Sequence, residues 1–372
     1  MKEGYKALGE FIRQIDIRNT EGKEDNLLGV SVQKQFIPSI ANTVGTDFTK
    51  YKVVKKGQFT YIPDTSRRGD KIAIALLQDY EEGLVSNVYT VFEVIDEEKL
   101  LPEYLMLWFS RPEFDRYARF KSHGSVREIM DWDEMCKVEL PVPSIEKQRS
   151  IVKAYKAITD RIELKRRIND NLEAAMRALF EHFVVSNEAY DFDEAIDDKI
   201  AFINGLAMQN YRPEKDETPI PVIKIRELSQ GYCDENSEFC SNHIDKSHII
   251  QNGDLVFSWS GSLQASFWTS QTAGLNQHLF KVQSDEYPLW FVYEWVTFHL
   301  LNFQRIAENK GTTFGHIKRE DLHNAKIKSV GIDEINKLNN LFQPLLNTII
   351  ANSTELHSLM NYQRVLLARL SR

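Results

Sequence analysis

Asp64, Glu97 and Lys99 come nearest to a catalytic pattern in this chain. Pro63-Asp64, followed by Glu97-Glu98-Lys99, fits the Pro-Asp…Glu-x-Lys order of many metal-dependent nucleases. There two carboxylates hold a divalent cation and a lysine orients the attacking water. The pattern is short and its residues are common, so a plain turn at Pro63-Asp64 and a solvated loop at Glu97–Lys99 compete with it. Other chemistry is not visible. The chain has no G-x-G-x-x-G, no P-loop, no H-E-x-x-H, no G-x-S-x-G and no Asn/Asp-Pro-Pro-Tyr/Phe of the amino-methyltransferases. Its 9 histidines are scattered, none with cysteine at zinc-ligand spacing.

The remaining polar clusters suit recognition. Ser66-Arg67-Arg68-Gly69-Asp70-Lys71 is a basic loop between two expected strands, and Ser258-Trp259-Ser260-Gly261-Ser262 occupies the corresponding place further on. Asn276-Gln277-His278 gathers amides and an imidazole at a strand start. Arginine can pair with guanine O6 and N7, and Asn or Gln with adenine edges. Lys121-Ser122-His123-Gly124-Ser125 and Lys310-Gly311-Thr312-Thr313 join a lysine, a close-approach glycine and a hydroxyl, which suits a phosphate. The candidate DNA contacts are thus Arg67, Arg68, Lys71, Lys121, Ser125, Ser258, Trp259, Ser260, Asn276, Gln277, His278, Lys310, Thr312 and Thr313. For any single loop a self-satisfied polar turn is the simpler reading. Their recurrence in equivalent places points to a shared job.

The elements that must position these loops follow from length and repetition. A chain of 372 residues makes two domains at ~150 residues each. With 42% apolar and 27% charged residues it reads as globular. Its net charge of -8 argues against a broadly basic DNA-binding surface and leaves room only for local basic grooves. No apolar run suits a membrane span and no secretory h-region follows Met1-Lys2-Glu3. Three cysteines, Cys136, Cys233 and Cys240, make no disulfide framework, so a cytoplasmic location is expected.

The chain repeats itself at a shift of 187 residues. Ile151, Tyr155, Ile158, Ile162, Lys165, Asn169, Leu172, Met176, Leu179 and Phe183 make a heptad seam. Adding 187 gives Leu338, Phe342, Leu345, Ile349, Asn352, Leu356, Leu359, Gln363, Leu366 and Leu370. Two long helices packed as an antiparallel pair are expected, with Pro344 kinking the second. Lys165-Arg166-Arg167 is left over as a surface for solvent or a partner protein. Ahead of the first helix, strands are expected near Leu28–Gln33, Gly57–Ile62, Lys71–Leu77 and Val88–Ile95, then a helix over Pro102–Phe120 broken at Arg111-Pro112. Ahead of the second, they fall near Val222–Glu227, Asp254–Ser260, Gln264–Ser270 and Gln277–Gln283, with a helix over Pro288–Asn309.

With these residues in view, the chain resembles the DNA-specificity subunits of type I restriction-modification enzymes. The resemblance rests on Leu140-Pro141-Val142-Pro143-Ser144-Ile145-Glu146-Lys147-Gln148-Arg149-Ser150-Ile151-Val152, on Gly253-Asp254-Leu255, on the Ser258–Gly261 turn, and on Gly274–Val282. The second junction, Lys328–Glu334, lacks the prolines and the glutamine. The resemblance implies an α+β fold in which two similar α/β target-recognition domains are separated by two long antiparallel coiled-coil helices, an internal pseudo-two-fold repeat. The expected boundaries are 1–143 and 187–330 for the recognition domains, and 144–186 and 331–372 for the helices. It implies a non-catalytic subunit with no cofactor or metal of its own that reads a bipartite double-stranded DNA site. Two methyltransferase subunits using S-adenosylmethionine would dock on it, and motor-nuclease subunits using ATP and magnesium would join through them. A stand-alone nuclease using Asp64, Glu97 and Lys99 is the alternative.

Overall fold

Two glycine-free segments fold as the longest helices of the chain. The computed structural model describes residues 4–40, 45–65, 71–122, 128–309 and 315–370. The first long helix runs Ile145–Phe180 and passes into one π-helical turn, Glu181–Val185. The second, Ile332–Arg369, continues unbroken through Pro344. Pro344 sits inside the helix and costs it one backbone hydrogen bond. No helix of the described residues is long and apolar enough to cross a membrane.

The two helices meet in opposite senses. Arg161 pairs with Glu355, Lys165 with Glu355 at 2.9 Å, and Asn169 Nδ2 donates to the Ile349 carbonyl at 3.3 Å. The polar breaks in the seam form one network. Asn352 Nδ2 donates to Asn169 Oδ1 at 2.9 Å, Asn169 Nδ2 to Ser353 Oγ at 3.0 Å, and Lys165 Nζ to Asn352 Oδ1 at 2.6 Å. Buried amides are satisfied in one alignment only, so this network sets the register that an all-leucine seam would leave loose. Phe183, expected to close the first seam, is 36% exposed, and Val184 is buried in its stead. The π turn inserts an extra residue and rotates the pattern.

The chain divides into two compact units, Met1–Asp160 with Tyr362–Arg372, and Arg161–Asn361. Each takes part of both long helices into its core. In the first, Ile151, Val152, Tyr155, Leu367 and Leu370 pack with the core around Phe59 and Phe92. In the second, Met176, Phe180, Leu338, Phe342 and Leu346 pack with Phe257 and Trp290. Trp290 stacks on Phe342 at 4.2 Å and donates Nε1 to Asn339 Oδ1 at 2.9 Å.

One plan builds both units. The first has an antiparallel sheet in the order Ile12–Ile15, Thr90–Val94, Phe59–Tyr61, Ile74–Leu76. The second repeats it with Ala201–Asn204, Leu279–Gln283, Leu255–Ser258 and Ala265–Phe267. Phe59 opposite Phe92 and Phe257 opposite Phe280 form the same cross-strand stack. The middle strands are buried on both faces. Leu255 and Phe257 enter the helix-side core while Val256 enters a second cluster with Ile223, Trp268 and Leu275.

That second cluster lies under a smaller sheet, also repeated. Leu28–Val30 with Phe36–Pro38, and Lys52–Lys55 with Glu82–Val85, are joined by a parallel Leu27–Leu84 bridge. In the second unit Ile220–Ile223, Phe239–Cys240, Ala273–Leu275 and Ile249–Ile250 show the same pairings as one four-stranded sheet. Tyr5–Ala7 with Glu139–Pro141, and Phe192–Ala195 with Lys326–Lys328, close each unit's ends.

Some sequence expectations shift. The Pro102–Phe120 segment is two helices, Pro102–Phe109 and Pro112–Lys121, because Pro112 starts a new one after extended Arg111. Its counterpart, Leu289–Asn309, has no proline and is continuous. The strand expected over Val222–Glu227 stops at Ile223. A short helix, Ile225–Gln230, follows, with the buried Glu227 carboxylate accepting from the Lys224 N–H at 3.2 Å and Gly231 ending it at φ 82°.

Gln148 explains the glutamine of the first junction. It is fully buried, its Oε1 accepts from the Leu101 N–H at 2.9 Å, and its Nε2 donates to the Lys99 and Pro143 carbonyls, both at 2.9 Å. Gln148→Leu removes the partner of three part-buried backbone groups, at about 1–3 kcal/mol for each that water does not reach. The protein should melt several degrees lower by calorimetry. An unchanged melting temperature would show that the staple carries no stability.

Candidate nucleic-acid interface

The catalytic reading does not survive the strand register. Asp64 follows Tyr61, which lies opposite Thr90, whereas Glu97 follows Val94 at the far end of the same antiparallel pair. Thr90 to Glu97 is roughly 20 Å of extended chain. Two carboxylates so separated cannot share a cation. Lys99 pairs with Asp96 at 3.1 Å, and Glu98 holds Arg149 at 3.0 Å on the long helix. This segment is a brace at the helix junction. Among the described residues, Asp197, Asp198 and His323 bring possible ligand atoms within 4.8 Å of one another, and a His323–Asp197 contact of 3.1 Å accounts for that grouping.

The described flanks of the candidate loops meet in each unit. In the first unit the loop after Phe59–Tyr61 lies against the segment after residue 127. Thr65 N–H donates to the Glu128 carbonyl and Met130 N–H to the Pro63 carbonyl, both at 3.0 Å. In the second unit Gly261 N–H donates to Gly315 at 2.8 Å and Ile317 N–H to Trp259 at 3.0 Å. In each unit an antiparallel bridge joins the described flanks of the two candidate segments, Asp64–Ile129 in one and Ser260–His316 in the other. Arg67, Arg68, Ser125, Lys310, Thr312 and Thr313 lie outside the described residues. Lys71 is exposed at the far side of its loop. Lys121 is half-buried, its Nζ 6.0 Å from the Tyr117 and Phe120 rings.

Spacing held no hint of Lys34, which anchors the first loop. Its Nζ donates to Asp115 Oδ1 at 2.5 Å and to the Ile72 carbonyl at 3.1 Å, and the same Asp115 oxygen accepts from the Ile72 N–H at 3.2 Å. Burial pushes the lysine pKa down, and the aspartate beside it opposes that. The group fastens the loop's end, just past Lys71, to the helix Pro112–Lys121.

In the second unit the candidates separate into scaffold and surface. Ser258 is fully buried, its hydroxyl donating to the Ser262 carbonyl at 2.5 Å and accepting from the Gln264 N–H at 2.9 Å. Asn276 is buried and its Oδ1 accepts from the His278 N–H at 3.3 Å. The Ser258 hydroxyl and the Asn276 carbonyl oxygen are both engaged in turns. Trp259 Nε1 donates to the Gln277 carbonyl at 3.2 Å, and its ring lies 5.9 Å from those of His278 and Phe280 and 6.3 Å from that of His316. Ser260 Oγ meets His278 Nδ1 at 3.2 Å. Gln277 is half-buried and His278 exposed. These four side chains rim a cleft of about 440 Å³ or stand beside it, with Ile225 and Gly261 in its wall.

Gly205, unnoticed in the sequence, lets this loop seat. A Cβ there would lie 2.2 Å from the Asn276 carbonyl oxygen and 2.4 Å from that of Leu275. Its signal was only a lone glycine after an apolar strand.

Lys165 is not the free surface expected. It is committed within the chain to Glu355 and Asn352, because a lysine at a seam position satisfies its charge across the seam. Arg166, 3.9 Å from Met360 Sδ, and Arg167, 3.9 Å from Glu163, stay exposed.

Comparison with known proteins finds one kind of relative. Residues 11–174 match the type I restriction modification DNA specificity domain. The MjaIX specificity subunit of Methanocaldococcus jannaschii is 24% identical over 304 residues, 74% of this chain and 70% of that protein. The HindI specificity subunit of Haemophilus influenzae is 27% identical over 210 residues, 55% of this chain and 44% of that one. Over most of its length the chain is thus similar to type I restriction specificity subunits. The crystal structure of the S subunit from M. genitalium shares the fold, with a TM-score of 0.58 at 12% identity over 99% of this chain and 96% of that one. The repeated loop pairs are the places where the two units carry different side chains on one frame.

Proposed function

We propose that this chain is a type I specificity subunit that reads an asymmetric, interrupted double-stranded DNA site, one half per unit, and docks two methyltransferase subunits. One observation supports this most. Equivalent backbone bridges join the same two loops in both units, yet the loops differ, 62–73 with Arg67-Arg68 against 259–264 with Trp259-Ser260. Equal frames with unequal readers suit a target with two unlike halves. The subunit itself supplies recognition and holds no cofactor. Its methyltransferase partners would bring S-adenosylmethionine, and motor-nuclease subunits would bring ATP and magnesium.

Methylome sequencing of cells expressing this chain with its methyltransferase subunit tests the proposal. A non-palindromic bipartite motif with methylated adenine is the expected result, and a palindromic motif overturns it. Gln277→Ala should relax only the half-site read by the second unit, by ~1–3 kcal/mol for a lost bidentate contact. Lys121→Ala should weaken binding to all sequences and lower the salt slope by about one unit. Intact specificity in Gln277→Ala would return that loop to a structural role.

A further inference from the structure

We infer that the cleft around Trp259 and His278 reads a T·A base pair in the second half-site by taking the thymine 5-methyl group. The inference rests on the proposed DNA-reading role and specifies its chemistry. The cleft, about 440 Å³, is open and mainly apolar, walled by Ile225, Trp259, Gly261, His278 and His316. The Trp259 indole N–H is already donated to the Gln277 carbonyl, so the ring offers an apolar face and no donor. Ser260 is likewise engaged with His278 Nδ1, which fixes the imidazole in one orientation. With the serine hydroxyl donating, the ring proton sits on Nε2, a donor suited to thymine O4 or adenine N7.

In the major groove the thymine methyl is the apolar feature of a base-pair edge, and a T·A pair sets it beside the O4 acceptor. An apolar wall with one oriented donor at its rim matches that arrangement. A guanine-reading site would need a bidentate cation or amide in the same place.

The test uses the specificity subunit assembled with its methyltransferase and duplexes carrying the motif found by methylome sequencing. Each thymine of the second half-site is replaced in turn by deoxyuridine, which removes the methyl alone. At one position the dissociation constant should rise about fourfold, the worth of one buried methyl group. Trp259→Phe should blunt that sensitivity. The exposed His278→Ala, which leaves the core untouched, should lower discrimination at the same pair about tenfold. A motif whose second half has no methyl-sensitive thymine overturns the inference and leaves the bipartite reading standing. So does a sensitive thymine unaffected by both variants. Absence of any bipartite motif overturns both.

Discussion

Gly205→Ala should strip the second unit of its stability and leave the first unit's core intact. The added Cβ would meet two backbone oxygens, Asn276 at 2.2 Å and Leu275 at 2.4 Å. Neither can swing aside as a flexible side chain would. Both belong to a segment pinned by hydrogen bonds from Leu206 N–H to Leu275 at 2.8 Å and from Gln277 N–H to Leu206 at 2.9 Å. Relieving the clash means parting strand Ala201–Asn204 and its continuation from strand Ala273–Leu275. Overpacking of this kind costs about 3 kcal/mol. That corresponds to about 6–12 °C in melting temperature for a unit of this size. Calorimetry should show the drop, and limited proteolysis should cut first within 187–330. Because Asn276–His278 would be unseated, recognition of the second half-site should fail before that of the first. An unchanged transition would mean the close approach is relaxed in solution.

Lengthening both long helices together should widen the gap in the DNA target and alter nothing else. Four residues inserted after Asp160 and four after Asn361 fall between the two compact units. They leave the Thr159–Gln363 contact on one side and the Arg161–Glu355 and Asn169–Asn352 contacts on the other. Four residues add ~6 Å of helix and overshoot whole turns by ~40°. At ~3.4 Å per base pair the spacer should grow by one or two base pairs, with both half-site sequences unchanged. Methylome sequencing reads the outcome directly. Insertion in the first helix alone should instead slip the seam by four positions, separate Asn169 from Asn352, and lower stability until the second insertion restores it. Altered half-sites, or an unaltered spacer with both insertions present, would show that the helices are not the ruler.

Much of the frame was legible because it rests on periodic signals. The two seams stand out since apolar residues recur in steps of three and four over more than 30 positions, and the helices Ile145–Phe180 and Ile332–Arg369 follow them. The 187-residue shift revealed the repeat because both copies keep the same order of strand, loop and helix. The short strands Tyr5–Ala7 and Phe192–Ala195 were not legible. At three and four residues they carry no usable alternation, and their partners, Glu139–Pro141 and Lys326–Lys328, lie more than 130 residues away.

The roles of individual side chains divided along the same line. Residue type and order determined that the chain holds two similar units on a helical frame. Only the tertiary structure decided which groups are spent internally. Ser258 and Lys165 have the chemistry of surface contacts, but their hydrogen-bonding groups are engaged by Ser262, Gln264, Glu355 and Asn352, and the Asn276 oxygen is taken by the His278 N–H. The strand register likewise sent Asp64 and Glu97 to opposite ends of one ladder. A sequence lists donors and acceptors, whereas pairing depends on which of them the fold brings within ~3 Å, and that is settled by contacts between segments far apart in the chain.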